Sequence, residues 1–304
     1  MFTSEIHSQV RRLQISAKRA VSGLLGGEYH SVFHGQGLSF DDVREYQPGD
    51  DVRSIDWNVT ARIGAPFIKR FVEERELTVM LAVDFSASLL GAKRTVNAEL
   101  AALIAFAAIQ NNDRVGLLGF TNEVEIHVPP AKGTRHALRM VREILGFRPH
   151  HPGTNIALAL DHLNRVYRRK VIVFLLSDFL MSPSPPAGEG LGMRGSFPHS
   201  FRRTGYQHEL IAVRISDPLE EAWPDVGLVD LIDPESGERL LIDTHDSRFR
   251  SGVERQAKDR AEAFRKLSRS AGADALDVTT TGNHVDELVK FFRMRGKMAR
   301  RSAS

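Results

Sequence analysis

Leu77-Thr-Val-Met-Leu-Ala-Val-Asp-Phe-Ser-Ala-Ser88 decides the fold. Seven residues of strand-forming, apolar character run into an Asp-x-Ser-x-Ser loop, so Asp84, Ser86 and Ser88 stand at the end of a buried strand. One carboxylate and two hydroxyls are hard oxygen donors, the type that suits Mg²⁺ and related ions. Two further donors lie downstream. Thr154 sits in GTNIALAL, at the start of a predicted helix, and Asp178 follows the apolar strand VIVFLLS. In α/β chains, ligands bind in the crevice at the carboxyl ends of the strands, where these residues fall.

The rhythm around that stretch predicts the rest of the fold. Strands are expected at 77–83, 114–120, 124–128, 171–176, 209–215 and 275–279. Helices are expected at 93–110, 134–145, 155–166, 249–269 and 285–293. Continuous apolar strands alternating with amphipathic helices imply a mostly parallel sheet covered on both faces. Residues 226–232 and 239–243 flank Pro234-Glu235-Ser236-Gly237 and read as a hairpin. Residues 182–205, rich in Pro, Gly and Ser, read as a low-complexity insertion where a crossover helix belongs. Its GxGxxG match at Gly190, Gly192 and Gly195 lacks a strand–loop–helix frame and reads as chance.

Ahead of the strand, residues 4–21 read as a helix ended by Gly23, Gly26 and Gly27. In the polar segment 35–71, residues 43–68 offer only short strand-like pieces. Within it, Asp50, Asp51, Arg53, Asp56, Trp57 and Arg62 suggest an Asp–Arg network anchored by a buried Trp, or else a protein-binding surface. The expected organisation is 1–76 as N-terminal helix and extension, 77–295 as the α/β domain, and 296–304 as a basic tail.

Composition narrows the chemistry. The 304 residues contain no cysteine, which excludes disulfides, zinc-thiolate sites and cysteine nucleophiles. A net charge of +3 gives no case for nucleic acid, and the basic residues from Arg293 to Arg301 read as a solvated tail with its cations placed after a helix C-terminus. The amphipathic N-terminus lacks a signal-peptide core, and the longest apolar run, Leu100–Ile109, is too short to span a bilayer. A cytoplasmic protein is the expectation. Of the twelve histidines, His30 with His34 and His150 with His151 are spaced closely, but without matched ligands they read as loop residues. No P-loop and no nucleophile elbow occurs. An Asp after an apolar strand can serve as a phosphotransferase nucleophile, yet the usual second acid is here Ser86.

The Asp-x-Ser-x-Ser loop, Thr154 and Asp178 together resemble a metal-ion-dependent adhesion site on a von Willebrand factor A-like domain. The longer segments YQPGDDVRSIDWNVTAR, FVEERELTVMLAVDFSAS, DRVGLLGF, GTNIALAL, LLSDF, RISDPLE and LVDLIDPESGERLLIDT resemble the bacterial domain-of-unknown-function 58 family. The resemblance runs from about Gly35 to Arg295. It implies a von Willebrand factor A-like (Rossmann-like) fold, and direct ligation of Mg²⁺ (or Mn²⁺ or Ca²⁺) by Ser86, Ser88 and Thr154. Asp84 and Asp178 would act largely through waters. It also implies a non-catalytic adaptor partnering a MoxR-type AAA+ ATPase in chaperone-like maturation, with a partner carboxylate completing the ion's shell. A metal-dependent hydrolase using Asp84 or Asp178 and a metal-free scaffold are the alternatives.

Overall fold

The computed structural model describes residues 2–33, 39–72, 76–180, 191–232 and 239–302. Strands β1 (Ser39–Glu45) and β2 (Phe67–Val72) form an antiparallel pair ahead of the main sheet. The sheet then takes β3 (Thr78–Asp84), β4 (Arg114–Phe120), β5 (Val124–Ala131), β6 (Ile172–Ser177) and β7 (Glu209–Ser216). A separate hairpin, β8 (Leu228–Ile232) with β9 (Arg239–Asp243), precedes the last sheet strand, β10 (Asp274–Thr279). The sheet order is β10-β7-β6-β3-β4-β5, parallel throughout except for β5, which runs antiparallel to β4 at the edge.

The alternation of strand side chains divides the core between two faces. Val79, Leu81 and Val83 of β3 join one cluster, and Met80 and Ala82 join the other. The first face is covered by α1 (Phe2–Ala20), α2 (Gly26–Phe33), α4 (Ala92–Gln110), α5 (Thr134–Gly146) and α10 (His284–Ser302). Helices α6 (Ile156–Val166), α7 (Leu191–Gln207) and α9 (Ser247–Ser270) cover the second. Two short helices, α3 (Trp57–Ile63) and α8 (Pro218–Glu221), lie outside those layers. The α/β class, the mostly parallel sheet and helices on both faces are as the sequence predicts.

Four expectations change. The N-terminal helix does not end at its glycines. It kinks at Gly23, whose φ of −89° and ψ of −127° are non-helical, and resumes as α2 to bury Tyr29. Burying Tyr29, Val21 and Leu25 in the core outweighs the low helix propensity of the glycines. The last helix also runs past Arg293 to Ser302, so a basic tail from 296 is helical through 302.

The segment 182–205 was expected to lack the crossover helix, but α7 occupies that place. Phe197, Ser200, Phe201 and Thr204 are buried at helical spacing, a stripe that the Pro, Gly and Ser content hides. Residues 182–190 and the hairpin tip 234–237 lie outside the described residues, as does His34.

Trp57 does not anchor a buried network: it is 68% exposed. The acidic residues around it organise turns instead. Asp50 takes a bidentate pair from Arg44, with N···O distances of 2.9 and 2.7 Å, and Asp51 accepts from the Arg53 amide. Asp56 caps α3 by accepting from the amides of Asn58 and Val59.

One contact between α4 and α10 carries a pH dependence. His284 Nδ1 lies 2.9 Å from Glu99 Oε2, and its Nε2 lies 3.1 Å from the Thr279 carbonyl. Two acceptors require a doubly protonated ring, and the hydrogen bond to Glu99 raises the His284 pKa above 6.5 against the effect of burial. A raised folded-state value places the stabilisation below pH 6.5 and loses it as pH climbs through the raised value. Denaturant unfolding should therefore show stability falling on that upward titration. His284→Gln should remove the slope and cost roughly 1.5 kcal/mol at pH 6.

Candidate functional site

The order of the sheet locates the site. The chain leaves β3 towards β4 on one side, while β6 and β7 lie on the other, so the crevice opens between β3 and β6. Asp84 is the last residue of β3, and Ser177 is the last of β6, with Asp178 following. The next loops are tied to the same edge by backbone bonds. The Phe85 amide donates to the Phe120 carbonyl at 2.8 Å, Ala87 to Pro152 at 2.7 Å, and Asn155 to Thr121 at 2.8 Å. Asn155 also caps α6 through its side chain, which fixes the turn carrying Thr154. Gly91 has φ +65° and ψ −124°, a conformation that requires glycine, and there the 85–91 loop turns into α4.

Asp84 is fully buried and receives three donors. Its Oδ1 accepts from the Ser86 amide at 2.9 Å, and its Oδ2 accepts from Thr154 Oγ1 at 2.8 Å and Ser177 Oγ at 2.7 Å. Ser86 Oγ and Ser88 Oγ are 3.1 Å apart. Burial pushes the Asp84 pKa up to about 6, opposed by the hydrogen bonds from Ser177 and Ser86 and reinforced by the nearby Asp178 carboxylate. The ionised form at neutral pH therefore costs about 3 kcal/mol, which an added positive charge would offset.

Asp178 is buried on the same rim, but its carboxylate is engaged. Oδ1 accepts from the Leu180 amide at 3.0 Å, and Oδ2 accepts from Lys93 Nζ at 3.0 Å. Lys93, only 3% exposed, reaches Glu220 Oε1 at 2.5 Å with the same ammonium. Of the five predicted residues, Asp84 and Thr154 are in direct contact, as are Ser86 and Ser88, and Asp178 acts on Asp84 through its charge.

Sequence reading missed Ser177, Lys93 and Glu220. Lys93 was findable: it shares a helical stripe with Val96, Asn97 and Leu100, all buried, so a lysine stands on the covered face of α4. Ser177 was visible as the last residue before Asp178 on an apolar strand. Glu220 required the tertiary structure, being brought in from the end of β7.

The donor set fits a hard divalent ion. Ser86, Ser88 and Thr154 offer hydroxyls, while Asp84 and Asp178 offer carboxylates. The separation of 3.1 Å between the two serine oxygens matches adjacent corners of an octahedron with bonds near 2.1 Å, whose edge is about 3 Å. Among the described residues no group of three or more His, Cys, Asp or Glu could hold a metal ion, so neither the histidines nor carboxylates alone form such a group, and the candidate set depends on its hydroxyls. His150 instead pairs with Glu125 at 2.9 Å. No described helix is long and apolar enough to cross a membrane.

Comparison with known proteins agrees with these motifs. The model of the family described as "Protein of unknown function DUF58" matches residues 42–263. Uncharacterized proteins of Mycobacterium tuberculosis and Mycobacterium bovis are each 32% identical over 304 residues, covering 97% of this chain and 92% of their own. Among solved structures, the conserved hypothetical protein BatB of Bacteroides thetaiotaomicron is 13% identical, covering 73% of this chain and 99% of its own, with a TM-score of 0.44. The VWA domain of SpRpn10 is 10% identical over 71% of this chain and 94% of its own, with a TM-score of 0.38.

Proposed function

This chain belongs to the DUF58 family, and we propose that it is a non-catalytic, metal-dependent protein-binding adaptor with a von Willebrand factor A-like adhesion site. The observation that carries this reading is the fully buried Asp84, ringed by Ser86, Thr154 and Ser177 at the switch point of a parallel sheet. Ser86, Ser88 and Thr154 would hold Mg²⁺ or Mn²⁺, with Asp84 and Asp178 balancing its charge. Bound there, the ion would supply one open coordination position for a carboxylate of the partner.

The chain's own residues do the rest. Ser177 and the Ser86 amide keep Asp84 oriented, and the Ala87–Pro152 bond keeps the serine loop beside Thr154. A non-catalytic role is supported by the position two residues after Asp84, which is Ser86 where an acid–base carboxylate would be needed. The partner proposed is a MoxR-type AAA+ ATPase or its client, in a cytoplasmic setting; it enters through the family resemblance of the sequence.

The test is titration calorimetry with Mg²⁺ and Mn²⁺, followed by capture of the purified ATPase on immobilised protein. Saturable ion binding, with capture lost in chelator, is the expected result. Equal capture in chelator would replace the adhesion site by a metal-free scaffold. Mg²⁺-dependent hydrolysis of a phosphate ester, lost in Asp84→Asn, would replace it by an enzyme.

A further inference from the structure

We propose that Lys93 is a built-in counter-ion that couples the cation site to the turn at 217–222. The inference rests on the metal reading above and adds to it a means of regulation. A lysine ammonium buried to this degree is costly unless paired, and here it is paired twice. Its two carboxylates come from different parts of the fold. Asp178 belongs to the candidate ion site at the end of β6, and Glu220 to α8, at the end of β7.

The pairing is a competition. Asp178 Oδ2 is held by Lys93 Nζ at 3.0 Å, so a divalent ion drawing on Asp178 must act against a positive charge already in contact with it. Glu220 pulls the ammonium the other way, at 2.5 Å. When the ion takes Asp178, the Lys93 ammonium is released from that carboxylate and its charge is left on Glu220. The side-chain oxygen of Asn97, four residues on and so on the same face of α4, is buried without a partner among the described residues and would be an acceptor for the released ammonium.

Glu220 is well placed to pass the shift on. Its Oε2 accepts from the Asp217 amide at 3.3 Å, Asp217 caps α8 by accepting from Leu219 at 3.0 Å, and Thr280 Oγ1 donates to Asp217 at 2.9 Å. The same turn accepts Arg260 of α9 at the Glu220 carbonyl, at 3.3 Å. Occupancy at β3 and β6 is thereby read out at the ends of β7 and β10, on the path to the exposed β8–β9 hairpin.

The two partners of this competition predict effects of opposite sign, which loss of structure does not produce. Lys93→Met keeps the aliphatic stem and removes the charge, so Mg²⁺ affinity by calorimetry should rise about tenfold. Glu220→Gln leaves the whole ammonium charge on Asp178, so affinity should fall about fivefold. Amide hydrogen exchange at 217–222 should change on adding Mg²⁺ to the wild type and stay unchanged in Lys93→Met. Weaker binding in both variants, or affinities equal to wild type, would overturn the coupling while leaving the ion site standing. Mg²⁺ binding by Lys93→Met alone would uphold the counter-ion and overturn the metal reading of the native site. No binding by any of the three proteins would overturn both. Thermal unfolding of each variant, run alongside, confirms that folded proteins are compared.

Discussion

Asp84→Asn is expected to weaken Mg²⁺ binding by at least roughly a hundredfold while leaving the metal-free protein at least as stable at pH 7. The two halves of that result have one cause. Wild-type Asp84 is ionised at pH 7 although burial has pushed its pKa up to about 6, and that strain is worth about 3 kcal/mol. An amide carries no such cost. Its oxygen can keep the bond from the Ser86 amide, and the hydroxyls of Thr154 and Ser177 can rotate to accept from its NH₂ group.

The sign can be followed with pH. A carboxyl whose folded-state pKa is raised stabilises the fold below its ordinary value of 3.8, and that contribution is lost as pH rises through about 6. Over that window metal-free wild type should lose about 3 kcal/mol more stability than Asp84→Asn, in which the other carboxyls titrate unchanged. Saturating Mg²⁺ should restore the loss in the wild type alone, by mass action on the folded state. A variant less stable than wild type at every pH would show instead that the Asp84 charge holds the fold together, and would remove the argument for a site awaiting a cation.

The second large effect is structural. Gly205 packs α7 so closely against the turn after α9 that an added Cβ would lie 2.2 Å from the Ala271 carbonyl oxygen. The obstacle is backbone, which cannot swing aside as a side chain would. Gly205→Ala should therefore destabilise by about 3 kcal/mol, despite a gain of about 1 kcal/mol in helix propensity. The helix must lift, loosening Phe197 and Phe201 from the cluster that holds Phe264. Gly252→Ala on α9 has no atom within 4 Å of the new carbon and should stabilise by about 1 kcal/mol. Chemical denaturation of the two variants measures a difference in sign for the same substitution. Equal effects would mean that α7 does not seat against residue 271.

These residues also mark how far the sequence could be read. β3 and β6 were legible because a buried parallel strand is a continuous apolar run, and Asp84 and Asp178 because a carboxylate ending such a run is conspicuous. The seat of α7 was not legible. Its apolar stripe is short, it is set among Pro, Gly and Ser, and its depth depends on a close approach to Ala271 that no local pattern records. Trp57 was misjudged because a large aromatic is usually covered, while its exposure is set by where α3 sits. Lys93 was passed over because apolar periodicity takes no account of charge. Its partners, Asp178 and Glu220, lie 85 and 127 residues further on.

The way α2 and α10 lie together bears on how the chain acquires its structure. Tyr29 meets Phe292 edge to face at 5.9 Å, and Glu28 pairs with Arg293 across 265 residues of sequence. At ribosomal rates of about 5–20 residues per second, the side of α2 that meets α10 waits roughly 15–50 s for that cover to be made. Other native partners of α2 arrive sooner, Asp113 for the Tyr29 hydroxyl and Phe174 for the Phe33 ring, so it is the side towards α10 that stays open longest. The closing step must then join segments from far apart along the polymer, which places it among the slow, high-contact-order events of folding. Closure of the first helices by the last one is thus the native contact that synthesis of this chain makes latest.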